Sequence, residues 1–200
     1  VRTEEGFRKR YYPTEYGYIL FDNGKFYDYT GHSVSLRSET PTWERSKGAI
    51  YEIDGFLTPL YQTDTTLTVY NLLRKDPALS GFASACARAG LARELNLTGF
   101  FTYTLLAPTN EALLNAGIDP GALSGEALLE FVNAHIIPNR YIFSDGVFNG
   151  QIADRNGEYA TVNGAWGGFS VTGASGTTLT PAEADIQGSN GVVHKVAQVF

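Results

Sequence analysis

At 200 residues and 43% hydrophobic composition, the chain can bury a core for one full domain and part of a second. Its net charge of −6 is spread along the sequence, and its one basic cluster is the short Arg8-Lys9-Arg10. That excludes the concentrated basic face of a nucleic-acid-binding protein. A lone Cys86 excludes an intrachain disulfide, and no stretch approaches the length of a transmembrane helix.

In chain order, residues 1–57 read as strands and turns: YGYILF, a turn at Asn23-Gly24, KFYDYT, SVSL and AIYEIDGFL, with no convincing helix. Asn-Gly between extended runs marks a hairpin because both central residues must accept positive φ. The texture changes after Pro59. TLTVYNLLRK places Val69, Leu72 and Leu73 on one side of a short helix. Asp76-Pro77 gives an N-cap followed by Pro at the first helical position, where its missing N–H costs nothing. Leu79, Phe82, Ala83 and Cys86 follow at helical spacing, so Cys86 reads as a small buried apolar residue, and Gly90 ends the helix. FTYTLL alternates Phe101, Tyr103 and Leu105 against Thr102, Thr104 and Leu106, the period of a strand. Pro108 breaks it, and Thr109 caps the helix NEALLNAG, whose Glu111 faces the positive end of the dipole. Ser124 opens another helix with the stripe Leu128, Phe131, Val132 and His135. From Tyr141 onward short strands and Gly-rich turns return.

Two stretches are near-twins. SNGVVHKVAQVF at residues 189–200 matches SKGAIYEIDGFL at 46–57, and GEYATVNGAW from Gly157 matches GYILFDNGKF from Gly17, each entering an Asn-Gly turn. Matching order in both copies points to an internal repeat of about 140 residues. Residues 60–200 hold a helical half and a β half, whereas residues 1–57 hold only a β half. The expectation is a fragment, opening on Val1 without Met, that starts inside one repeat and ends with the next.

The three histidines, His32, His135 and His194, can be combined on paper into a Ser-His-Asp set, but no nucleophile elbow, phosphate loop or Cys/His metal cluster accompanies them. His135 lies on an apolar helix stripe and reads as a buried, hydrogen-bonded imidazole. His194 has Tyr51 at its place in the upstream copy, an exchange that catalysis would not survive, so it reads as a polar-tipped ring at a strand edge. Trp166, among the glycines of NGAWGGF, is expected to present its indole to a partner or a sugar face. Trp43, in TPTWERS, is the second candidate of this kind. Asn96-Leu-Thr98 fits the N-glycosylation acceptor pattern but is read as a chance match.

YTLLAPTNEALLNA, NAHIIPNRYI and SNGVVHKVAQVF resemble, in order, the first signature, the Tyr-His segment and the second signature of the fasciclin (FAS1) domain family. The resemblance implies an α+β fold, the beta-Ig-h3/fasciclin-like wedge of two small β-sheets with helices packed along one side. It implies one complete domain at 60–200, preceded at 1–59 by the C-terminal β portion of another. Pro108, Thr109, Asn110, His135, Asn190, Gly191 and His194 become structural motif residues, with His135 partnered near Thr109 or Asn110. In two places the chain departs from the pattern: Ala134 stands where the Tyr of Tyr-His would be, and Ala197 replaces an acidic residue that Asp54 keeps upstream.

The family comprises adhesion and matrix-contact modules, so the resemblance implies a non-enzyme without cofactor or metal, contacting an extracellular protein or polysaccharide. The expected location is the cell surface, extracellular space or periplasm, as in bacterial outer-membrane lipoproteins with a lipid anchor upstream. The alternative is a binder of small ligands or glycans in an apolar cleft, with a hydrolase more distant.

Overall fold

Asn23 and Gly24 both adopt positive φ, 47° and 79°, and the tight turn they make sets the register of the first sheet. The computed structural model describes residues 7–15, 17–45, 48–60, 64–99 and 101–200. The chain divides into two units, Val1–Tyr61 and Gln62–Phe200.

In the first unit, β1 (Arg10–Thr14), β2 (Gly17–Asp22), β3 (Lys25–Tyr27) and β4 (Ser33–Ser35) form an antiparallel meander in that order. Its core is small and mostly aromatic: Tyr12, Phe21, Phe26 and Val34, with Phe7 standing edge-on to Phe26 at 5.0 Å. A separate ribbon pairs β5 (Trp43–Arg45) with β6 (Gly48–Ile50). Ser46 and Lys47, which open the twin stretch, lie outside the described residues.

In the second unit a 3₁₀ turn, Thr65–Leu67, leads into α1 (Val69–Lys75), capped by Thr68, whose Oγ1 accepts from the Asn71 N–H. Asp76 caps as expected, accepting from Ala78 N–H at 2.9 Å. What it starts is one 3₁₀ turn, Pro77–Leu79, and only then α2 (Ser80–Arg88). Then come β7 (Tyr103–Pro108), α3 (Asn110–Asn115), α4 (Gly125–Ala134) and β8 (Ile136–Pro138). The β half holds β9 (Gly150–Ala153), β10 (Tyr159–Asn163), β11 (Ser170–Thr172), β12 (Thr178–Leu179), β13 (Pro181–Gly188) and β14 (Gly191–Val196).

Strands β9 to β12 form an antiparallel meander. The other sheet runs β13-β14-β7-β8, with β14 and β7 parallel and its other pairs antiparallel. This mixed sheet is covered on both sides. Tyr103, Leu105 and Ala107 of β7 face a core with Leu73, Phe82 and Cys86 from the helices. Leu106 belongs to a second core with Val162, Val171 and Leu179 of the meander. The period of two in FTYTLL is therefore real, yet neither face of β7 meets water, and every one of its residues is buried.

A second correction concerns Asn163-Gly164. This pair does not form the two-residue turn that Asn23-Gly24 does: β10 ends at Asn163, and the chain returns to β11 only at Ser170. Gly167, not Asn163, takes positive φ there, 74°. Gly164 is held instead by close approach, since a Cβ on it would strike the Phe148 carbonyl oxygen.

Candidate functional site

The second signature closes the β13–β14 hairpin, and Ser189, Asn190 and His194 turn their polar groups inward. Ser189 Oγ donates to the Asp64 carbonyl at 2.7 Å, and Ser189 N–H donates to the Leu67 carbonyl at 2.9 Å. Asn190 Oδ1 accepts from Val69 N–H at 2.8 Å, filling a helix-start donor of α1. Its Nδ2 donates to the carbonyls of Leu95 and Leu97, both at 2.9 Å. Gly191 lies flat against β7, where a Cβ would collide with the Tyr103 carbonyl oxygen.

The first signature is equally occupied. Pro108 ends β7, and Thr109 N–H donates to the Val196 carbonyl at 3.1 Å. Thr109 Oγ1 accepts from Ala112 N–H at 3.1 Å, capping α3. Asn110 ties α3 to α2: Nδ2 donates to the Pro77 carbonyl and to Ser80 Oγ, and Oδ1 accepts from Gly81 N–H.

Both imidazoles of this unit are fully buried. His135 Nδ1 lies 2.8 Å from the Phe131 carbonyl, and Nε2 accepts from Phe200 N–H at 3.3 Å. Its partners are thus its own helix and residue 200, not Thr109 or Asn110. Burial pushes its pKa down to about 4, against the opposing bond to Phe131. His194 is not at a strand edge, because β14 lies inside the sheet between β13 and β7. Its ring stacks on Phe169 with centroids 4.7 Å apart, Nε2 meets the Ile142 carbonyl at 2.8 Å, and Nδ1 accepts from Asp185 N–H at 3.3 Å. Burial lowers its pKa too, with the nearby Asp185 opposing.

The fold does bring a serine, an aspartate and a histidine together: Ser144 Oγ bonds Asp185 Oδ2 at 2.5 Å beside His194. The order is wrong for acyl transfer. The carboxylate separates hydroxyl from imidazole, and both ring nitrogens are engaged with backbone groups. Asp185 sits at φ 65° in an irregular stretch of β13, so the trio serves to fix a bulge. Among the described residues, no group of His, Cys, Asp and Glu is arranged to hold a metal ion. The Cys86 thiol, pushed up to about 12 by burial, is inert packing.

Of the two tryptophans, Trp43 is 46% exposed, with the Arg45 guanidinium 5.7 Å from its ring. Trp166 is half-buried, so its glycine neighbours do not leave the indole uncovered as expected. Asn96 of the glycosylation pattern uses Oδ1 to accept from Thr68 Oγ1 at 2.5 Å. Beside α4 lies an open trough of about 760 Å³, lined by Leu129, Phe131 and Phe200 and edged by Glu126, Glu130 and Glu158.

Two groups escaped the sequence. Glu94 takes a bidentate pair from Arg155 and a bond from Tyr103 Oη at 3.1 Å, joining three segments with no shared motif. Gln198 is the other. In the first unit Asp54 Oδ1 accepts from Ser35 N–H at 2.7 Å, at the end of β4. In the second unit Ala197 cannot do this, and Gln198 Oε1 accepts from Thr180 N–H at 2.9 Å, just after β12. Its position one residue past the missing acid was the available signal.

Comparisons with known proteins agree with this frame. The family model for the Fasciclin domain matches residues 77–200. Protein sll1483 of Synechocystis sp. is 31% identical over 143 residues, covering 69% of this chain and 75% of that protein. Among solved structures, a FAS1 domain pair from the insect cell adhesion molecule Fasciclin I superposes with a TM-score of 0.56 at 13% identity. That superposition covers 96% of this chain and 66% of the solved one, just under two thirds of its length. Among the described residues no helix is long and apolar enough to cross a membrane. With its signature side chains locked into the β13–β14 hairpin and the α2–α3 corner, the chain belongs to the fasciclin domain family.

Proposed function

We propose that this chain is a non-enzymatic extracellular or cell-surface interaction module that contacts protein or glycan partners and is built as a tandem of fasciclin domains. The observation that carries this reading is the use of the signature side chains. Asn190, Thr109, Asn110, His135 and His194 all spend their polar groups on internal bonds, which leaves partner contact to exposed surface. The similarity in fold to a cell adhesion molecule supports the same class.

The tandem reading assigns residues 1–59 to the C-terminal part of a preceding domain. Each unit has a four-stranded antiparallel meander followed by an antiparallel strand pair, with Arg45↔Gly48 the last paired residues in one and Gly188↔Gly191 in the other. The third loop of each meander repeats bond for bond. Asp28 N–H donates to the His32 carbonyl and Gly31 N–H to the Asp28 carbonyl; Gly173 N–H donates to Thr177 and Gly176 N–H to Gly173.

The test is surface plasmon resonance of the immobilised full chain against a panel of matrix proteins and polysaccharides. Saturable binding is expected. A panel with no binder, together with a small molecule retained through purification and seen by mass spectrometry, would replace this reading with a ligand-binding one.

A further inference from the structure

We propose that the trough along α4 is a docking groove for a cationic, partly apolar peptide segment of an extracellular partner. The proposal rests on the interaction-module reading and names the surface used.

Helix α4 buries Leu128 and Val132 but turns a second apolar strip outward. Leu129 is 40% exposed, Phe131 and Ala134 are half-buried, and Phe200 continues the floor. Ile118 and Leu123 add to the lining, as do Asn156 and Glu158 of the β9–β10 turn. A narrower recess of about 160 Å³ shares Ala134 and Phe200 with the trough and runs on towards Tyr159, itself 63% exposed. Ala134 therefore sits at the junction of both parts. The ten residues of α4 span about 15 Å, the length of about four or five extended peptide residues.

Charge selects the occupant. Glu126, Glu130 and Glu158 edge the trough and Asp154 the recess, and among the described residues no Lys, Arg or His lines either part. Two arginines adjoining the lining are engaged elsewhere: Arg155, beside Asp154 and Asn156 in sequence, with Glu94, and Arg88 with the carbonyls of Pro120 and Leu123. Among the described residues no three metal-ligating side chains converge, so these carboxylates address separate positive groups rather than one ion. An apolar strip flanked by spaced carboxylates matches alternating apolar and Lys/Arg side chains on a peptide. It repels anionic lipid and acidic polysaccharide.

The experiment uses the full chain and three labelled octapeptides: Leu-Lys repeats, Gly-Lys repeats of equal charge, and Leu-Glu repeats. Saturable binding of the Leu-Lys peptide is expected, at least about tenfold tighter than Gly-Lys, with none for Leu-Glu. Ala134→Trp, which plugs the junction, and the double variant Glu130→Gln/Glu158→Gln should each weaken it at least about tenfold while Tm moves by less than about 2 °C. If Ala134→Trp perturbs folding, Leu129→Ser on the exposed floor should give the same loss. Equal binding of Gly-Lys, indifference to both the plug and the floor variant, or tight binding of phenethylamine with none of the peptide would overturn the proposal. Matrix-panel binding untouched by Ala134→Trp would also overturn it while leaving the module reading intact. An empty panel beside intact peptide binding would do the reverse.

Discussion

Asn190 Oδ1 lies 2.8 Å from Val69 N, a bond that joins residues 121 apart and fixes the start of α1 onto the β13–β14 hairpin. The same side chain donates to the carbonyls of Leu95 and Leu97, so one buried amide holds three segments. Asn190→Ala leaves one N–H and two carbonyls without partners, at about 1–3 kcal/mol for each group that water cannot reach. A total loss of about 3 kcal/mol or more is expected in urea unfolding of the second unit. Asn190→Asp should not rescue it, because a carboxylate oxygen would then face two carbonyls. A loss under about 1 kcal/mol would show that the hairpin is held by other means.

Acid should weaken the second unit through its histidines. His135 titrates near 4 in the fold because burial disfavours the cation, and His194 is lowered for the same reason. Both folded values lie below the unfolded value of about 6.5, so below that pH the unfolded chain binds protons that the folded chain cannot. The contribution is complete above about pH 6.5 and is lost as pH falls towards about 4, reaching about 3 kcal/mol for His135. Denaturant midpoints at about pH 7.5 and about pH 5 should differ clearly for the native sequence and less for His135→Gln. Equal pH dependence in the two would mean that His135 is charged in the fold.

The signals legible in the sequence were local ones. Thr109 caps α3, Asp76 caps the turn at Pro77, and Asn23-Gly24 makes its hairpin, since each needs only residues two or three apart. The order of the three signatures carried the fold class. What stayed hidden depends on distant pairing. The parallel ladder of β14 on β7 has no local mark, so the sequence reads His194 as an edge residue where the sheet makes it interior. His135 finds its second partner 65 residues away at Phe200. The trough combines α4 with a turn and a loop from elsewhere in the chain, and no periodicity announces such a surface.

The two tryptophans should behave differently when truncated. Trp43 is 46% exposed on a three-residue strand, so Trp43→Ala should cost at most about 1 kcal/mol, chiefly its contact with Arg45. Trp166 is half-buried, and Trp166→Ala should cost about 2 kcal/mol. If either ring contacts a partner, its loss weakens binding at least about tenfold, about 1.4 kcal/mol, and Phe at the same position restores part of it. Unchanged affinity in both alanine variants would remove the rings from the contact surface.

The last prediction sets Gly191 against Gly48, which occupy matching places in the twin stretches. Neither takes positive φ, so backbone conformation does not demand glycine at either position. Space does, at one of them. A Cβ on Gly191 would fall on the Tyr103 carbonyl oxygen and 2.7 Å from Val69 Cγ1, and the first of these is ladder backbone that cannot swing aside. Gly191→Ala must therefore push β14 away from β7, loosening the parallel ladder and the Asn190 clamp together, at a cost above about 3 kcal/mol. A Cβ on Gly48 meets none of the described residues within 4 Å, so Gly48→Ala should change stability by no more than about 0.5 kcal/mol. Each unit carries one tryptophan, Trp43 in the first and Trp166 in the second, which separates the readouts. In a Trp43→Phe background, urea unfolding followed by indole fluorescence reports the second unit, where Gly191→Ala should shift the midpoint strongly downward. In a Trp166→Phe background, Gly48→Ala should leave the first unit's midpoint in place. Equal sensitivity at the two glycines would mean that β6 is packed against a neighbouring strand as closely as β14 is.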